Sequence, residues 1–175
     1  MNDIKITDAT PQDVEGIEVV LSETWVATYP NEEIGITRDD ILDKRKDSLN
    51  SEKLQKKREY LENPPENLKF VVAKDGKRII GLCSVFVKDD YNKLSTIYIL
   101  PEYQGKGIGK KLYETVFPFF DTKKDIIVQV ATYNKNAIAF YKSLGFVDTG
   151  KRFSDEKFRM KSGALIPEME LIIKR

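Results

Sequence analysis

Between residues 68 and 100 the chain reads as three consecutive β-strands, and a glycine-rich turn then leads directly into a helix. The runs at residues 68–74 and 78–88 flank Asp75-Gly76, a dipeptide typical of tight hairpins. A third run, at residues 94–100, follows a turn-prone segment. Strands joined by short turns pair antiparallel, because a parallel pair needs a long crossover connection. The segment therefore predicts an antiparallel meander that ends at the glycine turn.

Helix and strand patterns on both sides of the meander complete an α+β arrangement. We predict strands at residues 4–7, 126–131, 146–150 and 168–173, helices at residues 107–117 and 134–144, and further helices that begin at Thr10, Thr37 and Ser51. No repeat, low-complexity tract or linker interrupts the chain, so we expect one domain over residues 1–175. Its sheet is expected to be mixed and flanked by helices.

Composition and charge narrow the classes of function. The chain has 29 basic and 28 acidic residues, and this balance argues against a dedicated nucleic-acid binder. No apolar stretch approaches the roughly 20 residues of a membrane span, and residues 1–6 are too polar for a secretion signal. The single Cys83 allows no disulfide framework. We therefore expect a cytoplasmic protein without nucleic-acid or membrane partners.

The chain contains no histidine. Ser-His-Asp and Cys-His triads and most zinc sites are excluded, because histidine is their usual base or ligand. Any acid-base chemistry must use carboxylates, tyrosines, lysines or bound water.

The turn at residues 104–111 has the features of an anion site. A helix N-terminus presents free backbone N–H groups and a partial positive charge, and preceding glycines let an anion approach the backbone. Lys106, Lys110 and Lys111 would add positive charge. Phosphate is the leading ligand class, although a plain strand-to-helix connection accounts for the turn equally well.

Two common phosphate motifs do not match this turn. A Walker loop would need glycine at Gln104 and Ser or Thr at Lys111. The dinucleotide fingerprint would need its third glycine at Lys110, and its acidic partner is missing. The remaining pattern is Q-x-x-G-x-G, over residues 104–109.

This pattern resembles the acyl-coenzyme-A pyrophosphate loop of the GNAT acetyltransferase superfamily. Residues 134–146 are similar to a second signature of that family, N-x-x-A-x-x-x-Y-x-x-x-G-F. The resemblance, anchored by these two motifs, covers residues 68–147 well. The resemblance implies a mixed, mostly antiparallel central sheet that is splayed between its fourth and fifth strands. It also implies a helical acceptor-side region over residues 1–65, an acyl-coenzyme-A-binding core over residues 68–147 and C-terminal strands over residues 148–175.

The resemblance further implies direct transfer of the acetyl group of acetyl-coenzyme A to a primary amine of a small molecule or a peptide N-terminus. Tyr141 would protonate the departing thiolate, or it is a core aromatic. Asn134 would contact the cofactor arm, or it is only an N-cap. The implied cofactor-binding residues are Ile97, Tyr98, Ile99, Gln104, Gly105, Lys106, Gly107, Ile108, Gly109, Lys110, Asn134 and Tyr141.

Other parts of the site stay open. The positions that carry an acidic base in relatives match Gln129 and Lys93 here, so no base is assigned. Glu23, Glu168, Glu170 and a chain of water molecules are the remaining candidates for the base. Trp25 and Tyr29 lie where relatives build the acceptor pocket, although Trp25 also suits closure of the core. Two alternative functions remain: a catalytically inactive acyl-coenzyme-A sensor and a nucleotide-binding domain that uses the same turn. For assembly, a homodimer is left open.

Overall fold

A seven-stranded sheet in the order β1-β2-β3-β4-β5-β7-β6 organises the molecule. The computed structural model describes residues 3–175, and Met1 and Asn2 lie outside this range. The strands are β1 (Ile4–Asp8), β2 (Leu68–Asp75), β3 (Arg78–Val87), β4 (Asn92–Ile99), β5 (Ile126–Ala131), β6 (Val147–Phe153) and β7 (Glu168–Ile173). The α-helices are α1 (Val14–Thr28), α2 (Arg38–Arg45), α3 (Ser51–Glu62), α4 (Ile108–Val116) and α5 (Lys135–Ser143). The predicted α+β class is confirmed.

The meander forms as the sequence predicts. Strands β2, β3 and β4 pair antiparallel in consecutive order, and Asp75 pairs with Arg78 across the hairpin turn. Strand β6 differs from its predicted end, because it continues through Gly150 to Phe153. The register with β7 shifts between Asp148 and Arg152, and Gly150 has a φ of 82°. The glycine therefore marks a bulge within the strand, which sequence patterns do not distinguish from a turn.

Helices cover both faces of the sheet. Tyr98 of β4 reaches Tyr29 at the C-terminal end of α1, whereas the next residue, Ile99, packs beside Gly109 of α4. Because successive side chains of a strand point to opposite faces, α1 and α4 lie on opposite sides of the sheet. Within residues 3–175, the helices lack the combination of length and apolar character that a membrane crossing requires.

The sheet opens between β4 and β5, which pair in parallel. Strands β4 and β5 pair over three residues, from Asn92 opposite Ile126 to Leu94 opposite Val128. The β3–β4 register then shifts so that Ser95 is left without a partner on β3. Such a bulge bends the strand and increases its twist. Beyond it, β4 diverges from β5, and the predicted splay between the fourth and fifth strands is confirmed.

A buried asparagine holds the paired end of the two strands. Asn92 begins β4, two residues before the predicted start, and its side chain is fully buried. Its Nδ2 donates to the carbonyl oxygens of Asp121 and Lys124 at 2.8 Å each, and its Oδ1 accepts from the Asp121 amide at 2.9 Å. These bonds tie the start of β4 to the turn that enters β5, so Asn92 fixes the point from which the strands diverge.

Candidate active site in the cleft between strands β4 and β5

The divergence of β4 and β5 leaves a cleft of about 1110 Å³. Its walls are the edge of β4, the glycine turn, the start of α4, the end of β5 and one side of α5. Every residue predicted to bind the cofactor or the acceptor lines this cleft except Trp25 and Lys106, and of the three candidate glutamates Glu168 alone lines it. The structure thus brings together residues that are more than 110 positions apart in the chain.

Two glycines of the turn adopt a backbone conformation that other residues disfavour. Gly105 and Gly107 have φ values of 73° and 77°, in the left-handed region. In the described part of the chain, no atom lies within 4 Å of the place where a Cβ would project from either residue. These glycines therefore shape the turn and leave space above its backbone.

Gly109 has a different role, which the sequence motif did not reveal. A Cβ at this position would lie 3.2 Å from Ile99 Cδ1 and 3.3 Å from the ring of Phe140. The missing side chain lets the first turn of α4 approach both β4 and α5 closely. Gly109 therefore sets the packing of the helix whose N-terminus faces the cleft.

The N-terminus of α4 presents free amides to the cleft. The first hydrogen bond of the helix runs from the Lys111 amide to the Gly107 carbonyl oxygen at 3.1 Å. The amides of residues 108–110 consequently have no acceptor within the helix, and its first turn carries no acidic residue. This end favours an anion.

The turn lysines contribute less charge to the cleft than the sequence suggested. Lys106 Nζ donates to the Glu102 carbonyl oxygen at 2.7 Å and lies 5.0 Å from the ring centroid of Tyr103. Lys106 is thus held against the outer side of the turn. Of the three turn lysines, Lys110 lines the cleft and is placed to face a bound anion.

Strand β4 exposes part of its backbone to the cleft. The Leu100 amide donates to the Ile80 carbonyl oxygen at 2.9 Å, so the backbone groups of Leu100 point towards β3. Because hydrogen-bonding direction alternates along a strand, the backbone groups of Ile99 and Ile97 face the cleft. Gln104 Nε2 donates to the Ile99 carbonyl oxygen at 3.0 Å. The amides of Ile97 and Ile99 are left to receive an extended ligand.

Tyr141 and Asn134 lie on the α5 side of the cleft. Tyr141 is 6% exposed, and its ring packs on Phe140 and Phe146. Its hydroxyl forms no hydrogen bond with any residue from 3 to 175, and burial raises its pKa far above the usual value. Asn134 Oδ1 accepts from the Ala137 amide at 3.1 Å, so this residue is an N-cap whose amide nitrogen remains available.

Tyrosines form the opposite wall. The hydroxyls of Tyr29 and Tyr98 are 2.8 Å apart, and the Tyr133 hydroxyl donates to the Tyr29 carbonyl oxygen at 2.9 Å. Burial raises the pKa of Tyr133 to about 12 and also raises the pKa of Tyr29 and Tyr98. All three phenols are therefore neutral at physiological pH. Tyr133 follows β5 directly, and a search for side chains at strand ends would have found it.

Trp25 packs behind this wall instead of lining the cleft. Its ring centroid lies 5.1 Å from that of Tyr29, and the partly buried ring packs against the smaller core cluster, which includes Ile36 and Met160. This placement agrees with the packing alternative considered for Trp25.

Lys93 and Gln129, the two positions at which the resemblance implied an acidic base, contact each other here. Lys93 Nζ donates to Gln129 Oε1 at 3.1 Å. The carboxylate on this wall comes from Glu168, the first residue of β7. Burial raises the pKa of Glu168, the charge of Asp155 adds to the rise, and Lys93 and Lys157 oppose it.

Known proteins share this architecture. The model of the acetyltransferase (GNAT) family matches residues 36–146. A putative [ribosomal protein bS18]-alanine N-acetyltransferase of Bacillus subtilis (strain 168) is 30% identical over 96 residues, which are 54% of this chain and 62% of that protein. The N-acetyltransferase 8F1 of Rattus norvegicus is 29% identical over 92 residues, 48% of this chain and 42% of that protein. Both matches span less than two thirds of the relatives' own lengths.

A solved structure matches over nearly the whole chain. The PaiA N-acetyltransferase of Thermoplasma acidophilum, crystallised with coenzyme A, superposes with a TM-score of 0.70 at 24% identity. The superposition covers 95% of this chain and 98% of that chain. At this identity the likeness shows a common fold.

Proposed function

This chain belongs to the acetyltransferase (GNAT) family, and we propose that it transfers the acetyl group of acetyl-coenzyme A directly to a primary amine. The acceptor is a small molecule or a peptide N-terminus. The observation that carries the proposal is the cleft between β4 and β5. It combines an open strand edge, the free N-terminus of α4 and a buried tyrosine hydroxyl.

The residues of the cleft suit the donor. Acetyl-coenzyme A is the co-substrate of this family and supplies a thioester that an amine can attack. The amides of residues 108–110 and the side chain of Lys110 would hold its pyrophosphate. The backbone of Ile97 and Ile99 would pair with its extended arm as an added strand does.

Two groups of this chain would assist the transfer. The Ile99 amide would donate a hydrogen bond to the thioester oxygen and stabilise the negative charge that develops there. Tyr141 keeps its proton at neutral pH because burial raises its pKa. A thiolate that leaves into the same buried environment is as poorly solvated as the Tyr141 phenolate would be. A proton from the Tyr141 hydroxyl would therefore neutralise the thiolate.

The test measures donor binding and thiol release separately. We expect calorimetry to detect acetyl-coenzyme A binding, and a thiol-release assay to detect turnover with an alanine-starting peptide, tyramine or spermidine. ATP and NAD serve as negative ligands. If none of the three amines gives thiol release and acetyl-coenzyme A does not bind, the proposal is refuted.

A pair of glycine variants locates the donor site. Gly107→Glu should weaken acetyl-coenzyme A binding by at least about 10-fold, because its carboxylate would project beside the pyrophosphate. Gly150→Glu is the control, since Gly150 has a φ of 82° and similarly open surroundings but lies in β6. Unchanged donor affinity in Gly107→Glu would contradict the assignment of the turn.

One observation favours a second candidate function, an acyl-coenzyme-A sensor without catalysis. Lys93 and Gln129 replace the acidic residues of relatives and bond to each other. Donor binding by the wild-type protein without thiol release on any of the three amines would favour this candidate.

A further inference from the structure

The acceptor side of the cleft contains a carboxylate that neither sequence motif includes. We propose that Glu168 binds the ammonium group of the acceptor and accepts its proton before the amine attacks the thioester. This inference rests on the proposed function and names the group that prepares the nucleophile.

The register of the sheet places Glu168 within the acceptor wall. Glu168 lies opposite Ala131 at the end of β5, and Glu170 lies opposite Gln129. Opposite residues of an antiparallel pair and alternate residues of one strand share a face. These four residues therefore share one face of the sheet. Gln129, Ala131 and Glu168 line the cleft together with Tyr29 and Tyr98, so this face is the acceptor wall, and Glu168 lies at its open end.

Glu168 differs from Glu170, the other glutamate of β7, in its surroundings. Glu170 forms an ion pair with Lys151 at 2.9 Å. Among residues 3–175, no side chain pairs with the Glu168 carboxylate by an ion pair or a hydrogen bond, although burial raises its pKa. A partly buried carboxylate that lacks a partner is stabilised by an incoming cation.

The groups that surround Glu168 leave it available. Lys93 of β4 is engaged with Gln129, and Lys157 pairs with Asp155 at 2.7 Å in the segment between β6 and β7. The remaining neighbours are the phenols of Tyr29, Tyr98 and Tyr133, on which the Glu168 charge acts. Aromatic faces and hydroxyl oxygens suit an ammonium group.

The proton transfers balance along this path. An N–H bond of the ammonium breaks as an O–H bond forms on Glu168, which later releases the proton to solvent. The free amine forms the C–N bond and the C–S bond breaks. The Tyr141 phenol protonates the leaving sulfur, and the proton lost by the new amide nitrogen restores the phenol. The net products are the amide, the thiol and one released proton.

A matched pair of variants tests the inference. Glu168→Gln should lower kcat/KM for the best of the alanine-starting peptide, tyramine and spermidine by about 100-fold or more, with unchanged acetyl-coenzyme A affinity. Glu170→Gln is the control, because Glu170 occupies the same strand and face but pairs with Lys151. The wild-type kcat/KM should fall as pH decreases through the pKa of Glu168, and Glu168→Gln should lose this fall. Equal activity, or an unchanged pH profile, would overturn the inference.

If the wild-type protein acetylates none of these amines, the proposed function is contradicted, and the role of Glu168 is tested by binding instead. The measurement is tyramine binding to the coenzyme-A-loaded protein. Calorimetry should show about 10-fold weaker tyramine binding in Glu168→Gln and unchanged binding in Glu170→Gln. Equal affinity in both variants, or no tyramine binding to the wild type, would overturn the inference.

Discussion

Replacement of Asn92 by alanine should destabilise the protein where the cleft begins. The Asn92 side chain is fully buried and forms three hydrogen bonds, two to the carbonyl oxygens of Asp121 and Lys124 and one from the Asp121 amide. Alanine removes all three and leaves these backbone groups without their partner. Water does not readily replace the lost bonds, because the site is buried.

The expected loss follows from these contacts. At about 1 kcal/mol net for each hydrogen bond, Asn92→Ala should lower the free energy of unfolding by about 3 kcal/mol. Unsatisfied groups left behind would bring the loss to about 4 kcal/mol. Urea unfolding monitored by circular dichroism measures this difference from the shift in midpoint.

A second asparagine provides the control for this measurement. Asn67 is exposed, and its Nδ2 makes one bond, to the Val87 carbonyl oxygen at 3.0 Å. Asn67→Ala should therefore cost less than about 1 kcal/mol. An equally small loss in Asn92→Ala would refute the view that this side chain holds the paired end of β4 and β5.

Two further variants test the chemistry of the cleft. Tyr141→Phe should lower kcat by about 100-fold or more while acetyl-coenzyme A affinity is retained, because the ring contacts with Phe140 and Phe146 remain. Its control is Tyr113→Phe, which removes a buried, unbonded hydroxyl on α4; equal kcat in both variants would make Tyr141 a packing residue. Lys93→Gln should raise the pKa of Glu168, because the Lys93 charge lowers it, and the acid limb of the kcat/KM profile should move to higher pH. Lys88→Gln is the control, because Lys88 is not among the charges that shift the pKa of Glu168. If the acid limb stays in place in Lys93→Gln, the Lys93 charge does not act on Glu168.

Much of the fold was predictable from local signals. The Asp75-Gly76 turn, the apolar strand runs and the proline and glycine punctuation indicated the elements that the structure contains. The predicted bounds of β5 and β7 agree with the structure, because both strands are short β-type segments with clear ends. The start of β4 was missed, since Asn92 reads as a turn residue and its burial depends on partners about 30 positions away.

The candidate site was predictable mainly where a motif marks it. Gln104 and the turn glycines belong to one contiguous pattern, and all of them line the cleft. The placement of Lys106 was not predicted, because its side chain bonds to the Glu102 carbonyl oxygen. For Trp25 the sequence left two placements open, and the structure packs it against Tyr29. Tyr133 has only its place at a strand end as a signal, and Glu168 was one of three candidate glutamates, of which the structure places only this one in the cleft lining.

The sequence by itself determined the order of the elements, the left-handed glycine turn and the helix start that follows it, because these depend on neighbours within a few positions. Tertiary structure decided two further features: the bulge at Ser95 from which β4 leaves β5, and the placement of Glu168 among tyrosines from three other segments. These features depend on register between strands that are distant in the chain. Register is set by the packing of whole faces, which no short stretch of sequence encodes.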